Sequence, residues 1–169
     1  MAGALGIPLS TGVVDSAMLA NARGLALSPA IYQECIPGRQ HLRVCCFGAD
    51  VHAVLLDSPT LDWRYVRGIE AAPHEVDPAL GGQLISVLER LGLRMGVFDL
   101  KLDDDGDPVW LEVNPQGQFL FLEGMCGIPL ARIAAEFLRD EAERIAPTLG
   151  APRGGQGADG ARGSGVAQR

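Results

Sequence analysis

Lysine is all but missing from this chain of 169 residues: Lys101 is the only one, and the formal net charge is −7. No basic stripe or run offsets that charge, which argues against a general binder of nucleic acid or of a membrane surface. Cysteine is sparse as well. Cys35, Cys45, Cys46 and Cys126 form no CxxC pair, and no histidine cluster accompanies them, so neither a zinc site nor a disulfide framework is indicated. They read as buried thiols of a reducing cytosol, with the neighbours Cys45 and Cys46 pointing to opposite faces of a strand. No apolar run reaches the roughly 18 residues that a membrane helix needs. Met1 to Val14 lacks the basic start and long apolar core of a signal peptide, so the expected compartment is the cytoplasm. No Ser/His/Asp or Cys/His arrangement suits nucleophilic catalysis, and His52 and His74 show no partner pattern.

What is present is an alternation of short apolar runs and turn signals. The length suits one domain, or one domain and a tail. Ala30 to Ile36 reads as a short strand ending at Pro37-Gly38. Leu42 to Phe47 and Val51 to Leu56 read as a hairpin joined through Gly48-Ala49-Asp50. Ser58 to Pro73 reads as irregular. Asp77-Pro78 supplies an N-cap and a first-turn proline for a helix with Leu80, Leu84, Val87, Leu88 and Leu91 at helical spacing, stopped by Gly92. Met95 to Leu102 and Val109 to Asn114 are two more strands around an Asp-rich turn, and Phe119 to Leu122 reads as a further short strand. A last helix starts near Pro129, with Leu130, Ile133, Ala134, Phe137 and Leu138 as its buried stripe. Beyond about Pro147 the chain is rich in Gly, Ala and Arg, a composition that cannot bury enough surface to order itself, so residues 147–169 are expected to be a disordered tail.

The segment from Val97 to Asn114 is the most informative. A turn centred between Asp105 and Gly106 sets Asp99 opposite Glu112, Val97 opposite Asn114 and Lys101 opposite Trp110. Because side chains alternate along a strand, one face then holds Phe98, Leu100, Leu102, Val109, Leu111 and Val113, and the other holds Asp99, Lys101, Glu112 and Asn114. Two carboxylates opposite each other on a sheet repel. They persist if solvated, if one is protonated, or if a cation lies between them. Asp99, Glu112 and Asn114 offer the hard oxygen donors that Mg²⁺ prefers, while a solvated polar face partly neutralised by Lys101 stays open as the plainer reading. Asp103, Asp105, Gly106 and Glu112 match four positions of a calcium-loop pattern, but Lys101 would fall on the first ligand position and the flanks are β-like, so this stretch is a polar hairpin turn.

Glu112-Val113-Asn114-Pro115-Gln116-Gly117-Gln118 resembles the metal-binding signature of ATP-grasp enzymes, and Gly96-Val97-Phe98-Asp99-Leu100 resembles the Gly-x-x-Asp strand of the same superfamily. Ile31 to Pro37 resembles the hinge strand that contacts adenine and ribose. His41-Leu42-Arg43-Val44 resembles Asp-x-Arg-Val, departing from it with His41 in the aspartate's place. Asp62-Trp63-Arg64, Phe119 to Glu123 and Cys126 to Leu130 are similar to segments of the peptide-modifying branch, which includes the microviridin-type ligases and related ribosomal peptide maturases; the ribosomal-protein glutamate ligases are a more distant likeness. The resemblance spans roughly Thr11 to Phe137.

That resemblance implies an α+β fold, the ATP-grasp C-terminal lobe, with an antiparallel sheet flanked by helices over residues 28–146. Residues 1–27 would then be the edge of the small lobe, in a chain truncated at its N-terminus. It implies Mg²⁺ or Mn²⁺ on Asp99, Glu112 and Asn114, ATP on Gln33, Glu34, Cys35, Ile36, His41 and Arg43, and catalytic roles for Arg43 and Arg64. The implied reaction is ATP-dependent ligation of a carboxylate to an amine or hydroxyl through an acyl phosphate, on a precursor peptide or protein, by an enzyme of possible homodimeric form. Two other readings stay open: a non-catalytic nucleotide- or peptide-binding fragment, and an ATP-independent module that binds divalent cations.

Overall fold

The computed structural model describes residues 11–27 and 30–149. Two short helices come first, α1 (Ser16–Ala20) and α2 (Ala22–Leu27). Five antiparallel strands follow: β1 (Gln40–Phe47), β2 (Asp50–Asp57), β3 (Glu70–His74), β4 (Met95–Leu102) and β5 (Pro108–Asn114). They form one sheet in the order β3-β2-β1-β4-β5. Helix α3 (Pro78–Arg90) precedes β4, while α4 (Leu120–Cys126) and α5 (Leu130–Leu149) follow β5. The α+β architecture of an antiparallel sheet flanked by helices is thus the observed one.

Alternation on β1 explains why the sheet is covered on both sides. Leu42, Val44 and Cys46 share a core with Ala53, Phe98, Leu100 and the α3 residues Leu84 and Leu88. Cys45 and Phe47 point the other way, into a second core with Val54, Leu56, Val97, Leu122 of α4, and Leu130 and Ala134 of α5. The two adjacent cysteines therefore separate to opposite faces, and burial pushes both thiols up to about 12. Cys126 is half-buried and Cys35 exposed.

The β1–β2 hairpin closes tightly, with Phe47 paired to Asp50 across Gly48-Ala49, and Gly48 at φ 62°. Asp77 caps α3 as its sequence indicates, its Oδ1 accepting from the amides of Ala79 (2.8 Å) and Leu80 (3.3 Å).

Four expectations are corrected. Ala30–Ile36 forms no strand: β1 already has β2 and β4 on its two sides, and this segment joins none of the ladders of the sheet. The stretch 58–73 is not wholly irregular, because it holds a short 3₁₀ turn (Trp63–Tyr65) and most of β3, an edge strand that tolerates Pro73. Phe119–Leu122 is helical rather than extended. Phe119, Leu122 and Cys126 are the residues it turns to the core, a helical spacing, and Gly127 at φ 78° ends the helix. Leu138, assigned to the buried stripe of the last helix, is exposed, as is Leu91 at the end of the helical spacing of α3. Helix α5 continues through residues 147–149, and the expected tail beyond them lies outside the described residues, as do residues 1–10.

Leu88 is 2% exposed at the centre of the α3-side core. Leu88→Ala is expected to lower the free energy of unfolding by about 2–5 kcal/mol, measured by urea titration.

Candidate functional site

On the α4/α5 side of the sheet the apolar lining stops at Cys45 and Val97, and the next cross-strand pair is Arg43 with Asp99. Arg43 is buried, and its Nη1 donates to both Asp99 oxygens (2.7 and 2.8 Å). Its Nε and Nη2 donate to the Gln118 carbonyl (3.1 and 2.6 Å). The guanidinium also lies 5.6 Å from the Trp63 ring centroid and 5.9 Å from that of Phe121, two rings stacked on each other. Such a cation has a fixed position before any ligand arrives.

Asp99 faces Glu112, and Val97 faces Asn114, as the register argument requires. The Glu112 carboxyl is pushed above the usual glutamate range by burial and then by the charge and hydrogen bond of Asp99, with Arg64 and Arg43 opposing. This is the repulsion anticipated for facing carboxylates. Asn114 turns its Oδ1 to the Gln116 amide (2.9 Å) and starts the turn to Gly117. A Cβ on Gly117 would come within 2.6 Å of Val97 Cβ, so only glycine lets this turn lie flat on β4.

Beyond Asp99 the pairing differs from the regular hairpin. A bulge shifts the register, so that Leu100 pairs with Trp110, Lys101 with Val109 and Leu102 with Pro108. Lys101 therefore does not face Trp110. Trp110 joins Phe98 on the α3 side, ring centroids 6.4 Å apart, and Val109 takes its place beside Lys101. The Asp-rich turn is held by Asp103 Oδ1, which accepts from the amides of Asp105 (3.0 Å) and Asp107 (2.9 Å), in keeping with a polar turn. Among the described residues no group of three or more His, Cys, Asp or Glu is placed to hold a metal. The oxygen set at this position is two carboxylates and one amide.

Arg64 reaches the same neighbourhood from the 3₁₀ turn. Asp62 clamps it through two contacts (2.8 and 2.7 Å), caps the turn at the Arg64 amide and accepts from the Thr11 amide (3.1 Å). Those bonds to Arg64 hold the Asp62 carboxyl below its usual range. The roles of the Asp62 carboxylate, the Gln118 carbonyl and the Phe121 ring were not assigned from sequence, although all three residues lie in the segments quoted above. Asp62 alone left a signal, an Asp two residues before the arginine it caps.

The remaining predicted residues lie outside this cluster. His41 is buried one step along β1 from Arg43, its Nε2 unpartnered, its pKa lowered by burial and then by Lys101. Gln33, Glu34 and Cys35 are exposed and Ile36 half-buried. They lead to Gly38, which has φ 91° and abuts the Leu102 carbonyl so closely that a Cβ would lie 2.7 Å from that oxygen. Gly38 thereby packs against the β4 end nearest His41 and Lys101.

A sheet of this order, with an arginine and facing carboxylates ahead of a Glu-x-Asn-Pro turn, has the fold of the C-terminal lobe of RiPP-associated ATP-grasp ligases. Among solved structures, the macrocyclase MdnC from Microcystis aeruginosa MRC, bound with precursor peptide MdnA, is 28% identical, with TM-score 0.65 over 76% of this chain and 42% of that one. The RiPP-associated ATP-grasp ligase of Chryseobacterium gregarium, in complex with ADP and a leader and core peptide, is 23% identical, with TM-score 0.66 over 79% and 43%. The ATP-grasp ligase PsnB, complexed with minimal precursor, Mg and ADP, is 21% identical, with TM-score 0.60 over 78% and 44%. The chain thus spans less than half the length of these ligases. No protein-family model and no curated protein sequence matches it. Among the described residues no helix is long and apolar enough to cross a membrane.

Two predictions follow from this geometry. Arg43→Met leaves Asp99 and Glu112 facing each other without their cation and is expected to destabilise the fold by about 3 kcal/mol, read from denaturant unfolding. Glu112→Gln is expected to be more stable than the parent at neutral pH. The parent's ionised Glu112 disfavours the folded state above its raised pKa. As pH falls through that value towards the ordinary 4.5, the folded state takes up the proton first, so the advantage of the variant shrinks and is gone below 4.5. Unfolding midpoints measured across this range check the trend.

Proposed function

We propose that this chain is the nucleotide- and metal-binding lobe of an ATP-dependent ligase that joins a carboxylate of a precursor peptide to an amine or hydroxyl. The observation that carries this reading is Arg43 seated on Asp99, opposite Glu112, on one face of the sheet. The ligands named for MdnC, the Chryseobacterium ligase and PsnB support it. In domain terms, residues 28–146 are the C-terminal lobe and 1–27 the edge of the small lobe.

The donor set fits a hard divalent cation. Asp99 raises the cost of ionising Glu112, and Asp99 oxygens that each accept one Arg43 contact keep lone pairs free. Asp99, Glu112 and Asn114 would hold Mg²⁺ or Mn²⁺, which when bound neutralises phosphate charge and orients transfer. Gln33 to Ile36 would take the adenine and ribose.

In the first step an oxygen of the substrate carboxylate attacks the γ-phosphorus, the bond to the β–γ bridging oxygen breaks, and ADP leaves. Arg43, held by the Gln118 carbonyl, and Arg64, held by Asp62, face the charge on the transferred group. In the second step the amine or hydroxyl attacks the acyl carbon of the acyl phosphate. The C–O bond to phosphate breaks, inorganic phosphate leaves, and the nucleophile's proton passes to solvent. Gly117, by letting its turn lie flat, keeps Gln118 in place to aim Arg43.

Calorimetric titration of ADP, with and without Mg²⁺, into the parent chain and an Asp99→Asn/Glu112→Gln double variant tests the reading. The expected result is binding that requires Mg²⁺ and weakens at least about tenfold in the variant. Binding of metal alone, indifferent to nucleotide, would instead favour a divalent-cation module, and no binding in any arm would remove nucleotide handling from this chain.

A further inference from the structure

Among the described residues, two side chains beyond the Arg43–Asp99 pair on the same face have no hydrogen-bond or ion-pair partner. His41 is 5% exposed and Lys101 4% exposed, and they stand opposite each other on β1 and β4. They share the face of Arg43 and Asp99, one alternation step, roughly 7 Å, nearer the turn end of β4. His41 Nε2 has no hydrogen-bond partner, and among the described residues Lys101 makes neither an ion pair nor a hydrogen bond. The apolar Leu56 and Val109 are their neighbours across the strands. A lysine side chain only 4% exposed and without a partner, beside a buried and unsatisfied imidazole nitrogen, is costly for the empty protein, and an anion placed between them would offset that cost.

Position selects the anion. Gly38 fixes the hinge against the Leu102 carbonyl, one residue past Lys101. The row of His41 and Lys101 therefore lies between the hinge and the row of Arg43, Asp99 and Glu112. A nucleotide with its base at the hinge and its terminal phosphates at the carboxylates must cross this row, and the charged group it carries there is the phosphate next to the ribose.

Resting on the nucleotide reading above, we propose that Lys101 and His41 form a seat for that phosphate, the ammonium supplying charge and Nε2 a hydrogen bond. The only lysine of the chain thereby serves the nucleotide from the sheet itself. Lys101 and His41 act together because the partner across from Lys101 decides whether its charge is available. A carboxylate at position 41 would consume it.

The test is calorimetry in saturating Mg²⁺ with ADP, adenosine and inorganic tripolyphosphate as probes, on the parent chain, Lys101→Met, Lys101→Arg and His41→Asp. ADP affinity is expected to fall at least about tenfold in Lys101→Met and in His41→Asp, to stay within a few-fold of the parent in Lys101→Arg, and adenosine binding is expected not to change. Both weakened variants remove or pair the unpartnered charge of Lys101, so their thermal unfolding midpoints are expected to be no lower than the parent's. ADP affinity equal to the parent's in Lys101→Met and His41→Asp overturns the proposal, as does an equal loss for adenosine. Should the parent bind no ADP, the nucleotide reading falls by itself and tripolyphosphate decides. Binding that both variants abolish upholds an anion seat of other use, and binding that they leave intact, or none at all, overturns it.

Discussion

Everything around the site answers to one unfavourable contact, two carboxylates set face to face on neighbouring strands. Asp99 and Glu112 cannot be moved apart without breaking the β4–β5 register, and that register is fixed by the apolar set on the opposite face. The fold meets the repulsion with two cations, Arg43 from the central strand and Arg64 from the 3₁₀ turn, and Arg43 is the one bonded to Asp99 itself. Arg43 can serve because it is aimed before it is needed, by the Gln118 carbonyl below and by the stacked rings of Trp63 and Phe121 beside it. Helix α4, the turn at Gly117 and the 3₁₀ turn at Trp63 are thus tied to one guanidinium, although they are far apart in sequence.

The same economy explains why one protein face divides into two halves. Where α4 and α5 cover the sheet, the inward residues are Phe47, Cys45, Val97 and Leu122. Where they stop, the inward residues become charged within one alternation step. Charges placed at such a margin sit in a medium that is neither water nor core, which strengthens both their attraction and their repulsion. A margin of this kind costs stability and suits a ligand that brings compensating charge.

Much of this was legible in the residues. The β1–β2 hairpin, the cap of α3 and the Asp99–Glu112 and Val97–Asn114 pairings follow from turn chemistry and period-two alternation, both local signals. What failed was not local. Phe119–Leu122 is apolar at every position, so it carries no period, and only its place over Val97 and Phe47 decides that it coils. Ala30–Ile36 has strand-like residues but no described neighbour to pair with, and a strand is a property of two segments. Leu91 and Leu138 fit the helical spacing of their helices, yet Leu91 stands at the C-cap of α3 and both are exposed. At the site, the residue types were readable and their couplings were not. Nothing in the string shows that Arg43 would find a backbone carbonyl 75 positions away.

The bulge in the β4–β5 hairpin has a consequence for how this segment can change. On the Asn114 side of it each pair of numbers sums to 211, and on the turn side to 210, so β5 carries one residue that the ladder does not count. That residue is Leu111, the one skipped between Glu112 and Trp110. Loss of a residue anywhere else in β5 would throw part of the strand onto the wrong face, whereas loss at Leu111 would merge two correctly phased ladders into one. The Asp-rich turn and the carboxylate pair therefore stand in separate frames joined at a single spacer, and the length of chain between them is free to vary by that spacer without moving Glu112 from Asp99.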